Sequence, residues 1–395
     1  MRPALRRCVG VSVDEFTDTY WGRSALLSEQ AGPYDDLLTL DDVDEIVSRR
    51  GLRTPFIRLA RDGQIVPPRR FTRGGGVGAE IADQVDPDQV LALVRDGSTL
   101  VLQGLHRIWP ALIDFTGDLA ADLGHPVQVN AYITPAQSQG FAAHYDVHDV
   151  FVLQVEGRKR WQIREPVREL PWRDEPWEQV RGQVEARAHE PPVIDTVIEP
   201  GDALYLPRGW IHSAEALGGT SAHLTFGVHA LTRRVLLDAV LDAMVADGPL
   251  RQSLPIDAQV TQEDAAAVAD LLARAADLAG MQRGTDLMTD RVHSRQRTGG
   301  RPQPIAPFAQ LSASQSLQAS DKVRWRRGLA ESVRQGRDWV DVVLSTRRVR
   351  LPVEAEPIVS RLRSGGEWSV ADLGGGEQTL KTLLAEGLVV PVRQP

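Results

Sequence analysis

Hydrophobic and polar positions change their rhythm twice along this chain. Up to residue 124 the pattern is mixed. Ser12 and Glu15 have capping-box spacing ahead of 16–22, and Thr39 and Asp42 repeat it ahead of 43–49, so two short helices joined by a loop are expected. Apolar runs 56–59 and 64–66 flank Asp62-Gly63 and read as a hairpin. Asp86, with Pro87 in the first helical position, opens a helix through Leu93 that Asp96-Gly97 breaks. A buried strand at 99–102 and a helix from about Ile108 to Leu123, ended by Gly124, complete this part. From there to Ala230 short strands alternate with Gly and Pro turns, without the helices that a parallel sheet needs. An antiparallel double-sheet barrel, able to hold a small ligand, is the expected core. After Ala230 apolar residues return to helical spacing over 231–244 and 263–278, which predicts a helical bundle. Part of residues 283–321, rich in Arg, Gln, Ser, Gly and Pro, reads as a mobile linker that could also touch substrate. From about Val323 a helix, a short strand, a helix and closing strands are expected. The domains are thus 1–230, 231–322 and 323–395.

Polar residues interrupt the expected barrel where chemistry is possible. If 141–144 leads into a strand, His144 and Asp146 share one face, because side chains repeat every second residue. His212 follows the turn 199–202 and reads as the rim end of the strand 203–212. Two imidazoles and one carboxylate on one face form the triad that suits non-haem Fe(II) and O2. Asn130, Tyr132 and Thr134 make a polar row on the strand 127–134, where an apolar one is expected. Lys159 follows a hairpin turn read at Glu156-Gly157 and shares parity with Trp161. Of 45 Lys and Arg residues only Lys159, Lys322 and Lys381 are lysines, so an ammonium here runs against the chain's own bias. An ammonium beside a metal is what the far end of a dicarboxylate co-substrate needs. The bland readings are a solvated strand end for the pair and a half-exposed hairpin residue for Lys159. His148 shares parity with the pair and is a possible competing ligand, whereas His223 and His229 read as satisfied core or rim histidines. The insert 171–192, with Trp172 and Trp177, is either a lid or a surface excursion.

Composition narrows the setting. At 395 residues and 43.4 kDa the chain suits two or three domains, and its net charge of −8 argues against a general nucleic-acid coating role. Cys8 is the only cysteine, which excludes an intramolecular disulfide. No signal-like or membrane-spanning run stands out, so a cytoplasmic protein is expected. Residues 346–395 carry seven basic and six acidic side chains, so no DNA-recognition face is expected there.

Several motifs in order, NAYITP at 130–135, SQGF at 138–141, HYD at 144–146, FVLQVEGRK at 151–159 with Trp161, LYLPRGWIH at 204–212 and HLT at 223–225, resemble the JmjC-type cupin oxygenases. The likeness covers about residues 100–230 and is closest to the ribosomal oxygenase branch, the 2-oxoglutarate-dependent hydroxylases of ribosomal proteins. It implies a mainly β double-stranded β-helix of the jelly-roll or cupin kind with N-terminal α/β elements, a helical region that commonly forms the interface of a homodimer, with a cap on the barrel as the bland alternative, and a C-terminal winged-helix-like domain. It further implies Fe(II) held by His144, Asp146 and His212, with 2-oxoglutarate on the metal, its far carboxylate on Lys159, and Asn130 and Tyr132 lining the pocket. No ligand is implied at His148. The implied reaction is O2-dependent hydroxylation of an Arg or His in a ribosomal protein, with a peptide from a biosynthetic pathway as the alternative substrate. A cupin that binds without turnover is the reading from a different class. The likeness breaks at Phe226-Gly227, where related eukaryotic enzymes carry a small hydroxyl residue near the target side chain.

Overall fold

The computed structural model describes residues 2–392 except 62, 137, 139–141, 246–250, 255, 257, 330 and 345–346. The chain clusters into two compact units, Met1–Ala230 and Leu231–Pro395. The expected hairpin turn at Asp62, the SQGF motif and the lead-in from Phe141 fall wholly or partly outside the described residues.

The first unit begins with helices α1 (Pro3–Arg6) and α2 (Val13–Glu15), a π-helical turn (Phe16–Tyr20), strand β1 (Leu26–Ser28) and helix α3 (Leu40–Arg49). Both expected caps form: Ser12 accepts from the Glu15 backbone, and Thr39 and Asp42 bond reciprocally. The stretch expected as loop contains β1, which pairs with a strand almost 180 residues away, a partner that no local pattern announces. Strands β2 (Ile57–Arg61) and β3 (Gln64–Ile65) form the hairpin, β4 (Thr72–Arg73) pairs with β5 (Gln84–Val85), and helix α4 (Pro87–Arg95) follows its Asp86 cap. Strand β6 (Thr99–Leu102) is buried throughout, and helix α5 (Pro110–Leu123) ends where Gly124 turns left-handed at φ 72°.

Then come strands β7 (Val127–Thr134) and β8 (Asp149–Arg164), helix α6 (Arg181–Ala188), and strands β9 (Ile194–Ile198), β10 (Ala203–Leu206) and β11 (Ile211–Val228). With β1, β2, β3 and β6 they form a nine-stranded antiparallel sheet. The hairpin read at Glu156-Gly157 does not exist. β8 runs straight through it, pairing with β11 on both sides, and the turn residues become a bulge. Gly157 has φ 65°, and a Cβ there would lie 2.1 Å from the Thr220 carbonyl oxygen, so glycine is required.

The bulge lets one strand serve two layers. Phe151, Leu153, Ala203 and Tyr205 pack into a large core with α1, α3, α4 and α5, whereas Val150, Val152, Leu204 and Leu206 pack against Trp161, Ile163 and Ile198 from beyond the bulge. The two halves of β8 therefore face each other across an interior, as in a cupin.

In the second unit, helices α7 (Arg233–Met244), α8 (Gln262–Gly280) and α9 (Gln282–Gly299) share a small core of Val240, Met244 and Ala275. Much of 283–321 is helix, α9 and then α10 (Pro307–Gln315), so a linker is confined to the stretches 300–306 and 316–321. Arg and Gln propagate a helix well, and α9 is anchored on α7, where Met288 packs against the small core and Arg291 pairs with Asp242. Strand β12 (Lys322–Trp325) precedes an antiparallel meander absent from the expected order, β13 (Glu331–Gln335), β14 (Trp339–Leu344) and β15 (Arg348–Pro352). Helix α11 (Glu356–Arg363), strand β16 (Trp368–Ser369), helix α12 (Glu377–Ala385) and strand β17 (Val389–Pro391) follow, with β12 between β16 and β17. Among the described residues no helix is long and apolar enough to cross a membrane.

Candidate metal centre

Alternation along β7, β8 and β11 decides what faces the interior. Val129, Ala131 and Ile133 enter the outer core, which turns Gln128, Asn130, Tyr132 and Thr134 inward. By the same parity β11 turns His212, Ala214 and Ala216 inward before its bulge, and Ser221, His223, Thr225 and Gly227 after it. The barrel interior is thus polar along one wall, against the apolar wall of Val150, Val152 and Leu204.

His144, Asp146 and His212 meet at the opening of this interior, each offering one ligand atom, with all three atoms within 4.8 Å of one another. His144 and Asp146 are not on a strand, as the parity argument assumed. His144 makes one antiparallel bridge, donating its N–H to His212 O at 3.2 Å and accepting from His212 N at 2.9 Å, and the chain then loops to Asp149. Nor does His212 end the strand before it. β10 stops at Leu206, Pro207–Trp210 turn the chain, and His212 is the second residue of β11.

The imidazole tautomers follow from their neighbours. His144 Nδ1 donates to Ala142 O at 2.8 Å and His212 Nδ1 to Trp210 O at 3.0 Å; carbonyls only accept, so each Nδ1 carries a proton and each ring presents Nε2 as its ligand atom. His212 Nε2 lies 3.8 Å from Asp146 Oδ2. Burial, with His144 beside it, pushes His212 down to about 4, so it is a neutral imidazole at pH 7. Burial raises the Asp146 carboxyl, but His148, His212, His144 and Arg58 outweigh it and hold the group below its usual range. Two imidazoles held by backbone hydrogen bonds and a carboxylate are a ready donor set for a divalent first-row metal.

Deeper in the barrel, Lys159 is buried, and its Nζ donates to Thr134 Oγ1 at 3.1 Å. Burial pushes its amine down to about 7. Tyr132 stacks on His223 at 5.0 Å, and Trp161 lies between His223 and His212, with ring centroids 5.4 Å and 6.0 Å away. Burial and the nearby Lys159 hold His223 far below the usual imidazole range. Asn130 accepts from the Gly104 N–H at 3.0 Å. Trp161 Nε1, His223 Nδ1 and Gln154 Oε1 are buried without a hydrogen-bond partner among the described residues. Such atoms are costly unless something polar meets them. The donor set and these orphaned atoms fit a metal with a small polar organic anion beside it.

Sequence reasoning missed Arg58 and the work of the insert. Arg58 lies on β2 in the cross-strand row Arg58–Val101–Tyr132–His223, and hydrogen-bonds Tyr132. A lone charge between the buried Ile57 and Leu59 was the available signal. The insert packs against the ligand loop. Tyr145, between two ligands, is buried with Val184 and Ile211 against Trp177 and Val180, and its hydroxyl donates to Glu175 O at 2.9 Å. Trp177 lies 6.4 Å from the His144 ring. His148 is outside the ligand cluster.

Residues 115–236 match the JmjC domain family. The chain is 32% identical over 256 residues to ribosomal oxygenase 1 of Rattus norvegicus, which covers 62% of this chain and 40% of that one. It is 39% identical over 138 residues to the bifunctional lysine-specific demethylase and histidyl-hydroxylase NO66 of Drosophila persimilis, covering 33% and 19%. The chain thus spans less than half the length of either relative. Among solved structures, the Escherichia coli ribosomal oxygenase YcfD in complex with cobalt and 2-oxoglutarate shares the fold, with a TM-score of 0.54 at 16% identity over 98% of this chain and 99% of that one. Taken with the His-x-Asp…His donor set at the mouth of a cupin-like core, these matches place the chain among the JmjC-domain proteins, as a relative of the ribosomal oxygenases.

Proposed function

We propose that this protein is an Fe(II)- and 2-oxoglutarate-dependent dioxygenase that hydroxylates an Arg or His side chain of a ribosomal protein. The observation that carries the reading is the convergence of His144, Asp146 and His212 with both Nδ1 atoms tied to carbonyls, because three ligands on one side leave room for a co-substrate and O2. His144, Asp146 and His212 would hold the iron. Iron with 2-oxoglutarate supplies the oxidising chemistry, consuming O2 and releasing succinate and CO2. Lys159, with Thr134, would hold the far carboxylate, and Asn130 and Tyr132 would line the pocket. The aromatic wall of Tyr132, His223 and Trp161 keeps water away from that pocket. The relatives' names support a ribosomal protein as substrate.

We further propose that 231–322 is a separate domain that pairs two copies, and that 323–395 is a winged-helix-like support in a cytoplasmic enzyme. The small core of α7 and α8 is distinct from the C-terminal core, which takes in Leu317, and α7 and α8 expose Leu237, Leu241, Val268 and Leu272. Anaerobic Fe(II) with 2-oxoglutarate should give a weak visible charge-transfer band that Asp146→Ala abolishes. Ribosomal proteins from cells with the protein should carry a gain of about 16 Da, one oxygen, that is missing without it. No band and no succinate release would favour a binding module.

A further inference from the structure

The turn between β10 and β11 ties both ligand segments together. Residues 207–210 offer three backbone groups in succession. The Arg208 N–H donates at 2.8 Å to a side chain, Asp149 Oδ1. The Gly209 N–H donates to Asp146 O at 3.0 Å, and Trp210 O accepts from His212 Nδ1 at 3.0 Å. Where this one turn sits therefore sets the main chain at Asp146 and the tilt of the His212 ring together.

Asp149 stands in apolar company. It opens β8 opposite Val228 of β11 and shares parity with Phe151, so its carboxylate lies on the side of the large core, away from the barrel interior. It is 1% exposed, and its Oδ2 has no hydrogen-bond partner among the described residues. The Arg208 guanidinium lies beside it, with Nη1 3.8 Å from Oδ1. A buried carboxylate is costly in such a place, and Asp is a poor strand former, so local folding gains nothing from it. On its other side the turn meets the chain entering the insert. Gly209 is left-handed at φ 91°, and a Cβ there would lie 2.5 Å from Arg168 O and 2.9 Å from Pro171 Cδ. The turn is gripped between that wall and Asp149.

We propose that Asp149 is a positioning residue of the metal centre: its carboxylate oxygen clamps the 207–210 turn, and the turn in turn holds the Asp146 segment and the His212 ring in register for a metal. The inference rests on the metal-binding part of the oxygenase reading above. What the clamp uses is the acceptor oxygen at Oδ1, so an amide in the same place serves as well, whereas a hydrocarbon of the same shape releases the turn.

The test uses the full-length protein, with Co(II) affinity from chelator competition, the visible Co(II) spectrum, and amide hydrogen exchange of the metal-free form. Asp149→Leu, which keeps the branched shape without an acceptor, should bind Co(II) at least tenfold more weakly, shift the visible bands, and speed exchange at the Arg208 and Gly209 amides at least tenfold. Asp149→Asn should stay within threefold of wild type in affinity and exchange and keep the bands. Leu93→Ala, which opens a cavity elsewhere in the same unit, should lower the unfolding midpoint and leave the Co(II) affinity and spectrum unchanged. Co(II) bound by Asp149→Leu as tightly as by wild type, Asp149→Asn as weak as Asp149→Leu, or an equal loss in Leu93→Ala overturns the proposal. Should Asp149→Leu not fold, wild type decides: an Arg208 amide protected from exchange supports the clamp, and one that exchanges as fast as an exposed amide overturns it. Asp146→Ala separates the two readings. Co(II) bound equally by wild type and Asp146→Ala fails the metal reading, whereas Co(II) lost in Asp146→Ala and retained in Asp149→Leu fails this inference alone.

Discussion

Replacing Lys159 with Met should make the ligand-free protein more stable, although it deletes a hydrogen bond. Lys159 is 4% exposed, its amine donates to Thr134 Oγ1 at 3.1 Å, and no carboxylate pairs with it among the described residues. Burial takes the amine from 10.5 to about 7. At about 1.4 kcal/mol per pH unit, the buried charge costs about 5 kcal/mol. Losing the bond to Thr134 offsets about 1 kcal/mol of that, so a net gain of about 4 kcal/mol is expected from a side chain of similar volume. The sign depends on pH. Below pH 7 the lysine is protonated in both states and the full penalty applies. Between about 7 and 10 the unfolded chain holds a proton that the folded one has released, so wild-type stability climbs with pH. The advantage of Lys159→Met is therefore greatest at pH 6 and shrinks by about 1.4 kcal/mol for each unit above 7. Guanidinium unfolding of both proteins at pH 6, 8 and 9, with matched slopes, measures it. A variant no more stable at pH 6, or equally favoured at pH 6 and 9, would mean that the amine is hydrated and the reasoning is wrong.

Other expectations follow from single contacts. In the metal-loaded protein kept anaerobic, the Kd for 2-oxoglutarate should rise by up to about tenfold per unit above pH 7, because the carboxylate prefers the ammonium; calorimetry at pH 6.5, 7.5 and 8.5 checks it, and a flat profile removes Lys159 from the pocket. Trp177→Ala with Tyr145→Phe should weaken metal binding about tenfold in a chelator competition, since the insert buttresses the ligand loop. An unchanged Kd would uncouple the two. Gly157→Ala should cost about 3 kcal/mol, because its Cβ meets the Thr220 carbonyl at 2.1 Å on a left-handed backbone. Gly218→Ala, also left-handed but in open space, should cost about 1 kcal/mol, so equal unfolding midpoints for the two variants would refute the clash.

Much of this molecule was written locally. The caps at Ser12, Thr39 and Asp86, the stop at Gly124 and the buried strand 99–102 each depend on a few adjacent residues, so their signals survive without any tertiary context. His144, Asp146, His212 and Lys159 stood out because charged and ligating side chains are out of place in an apolar, strand-forming stretch.

What the tertiary structure decided depends on partners remote in sequence. Pairing with β11 turned an apparent Glu156-Gly157 hairpin into a bulge within one long strand, and pairing with β10 made a strand of 26–28. The bridge between His144 and His212 set the geometry of the donor set, and burial under the insert fixed Tyr145 between two of its members. Arg58 took on meaning only when β-sheet register placed it in one row with Tyr132 and His223. A sequence encodes which side chains prefer the interior, but register and closure come from the summed pairing energy of distant strands, which no single segment contains.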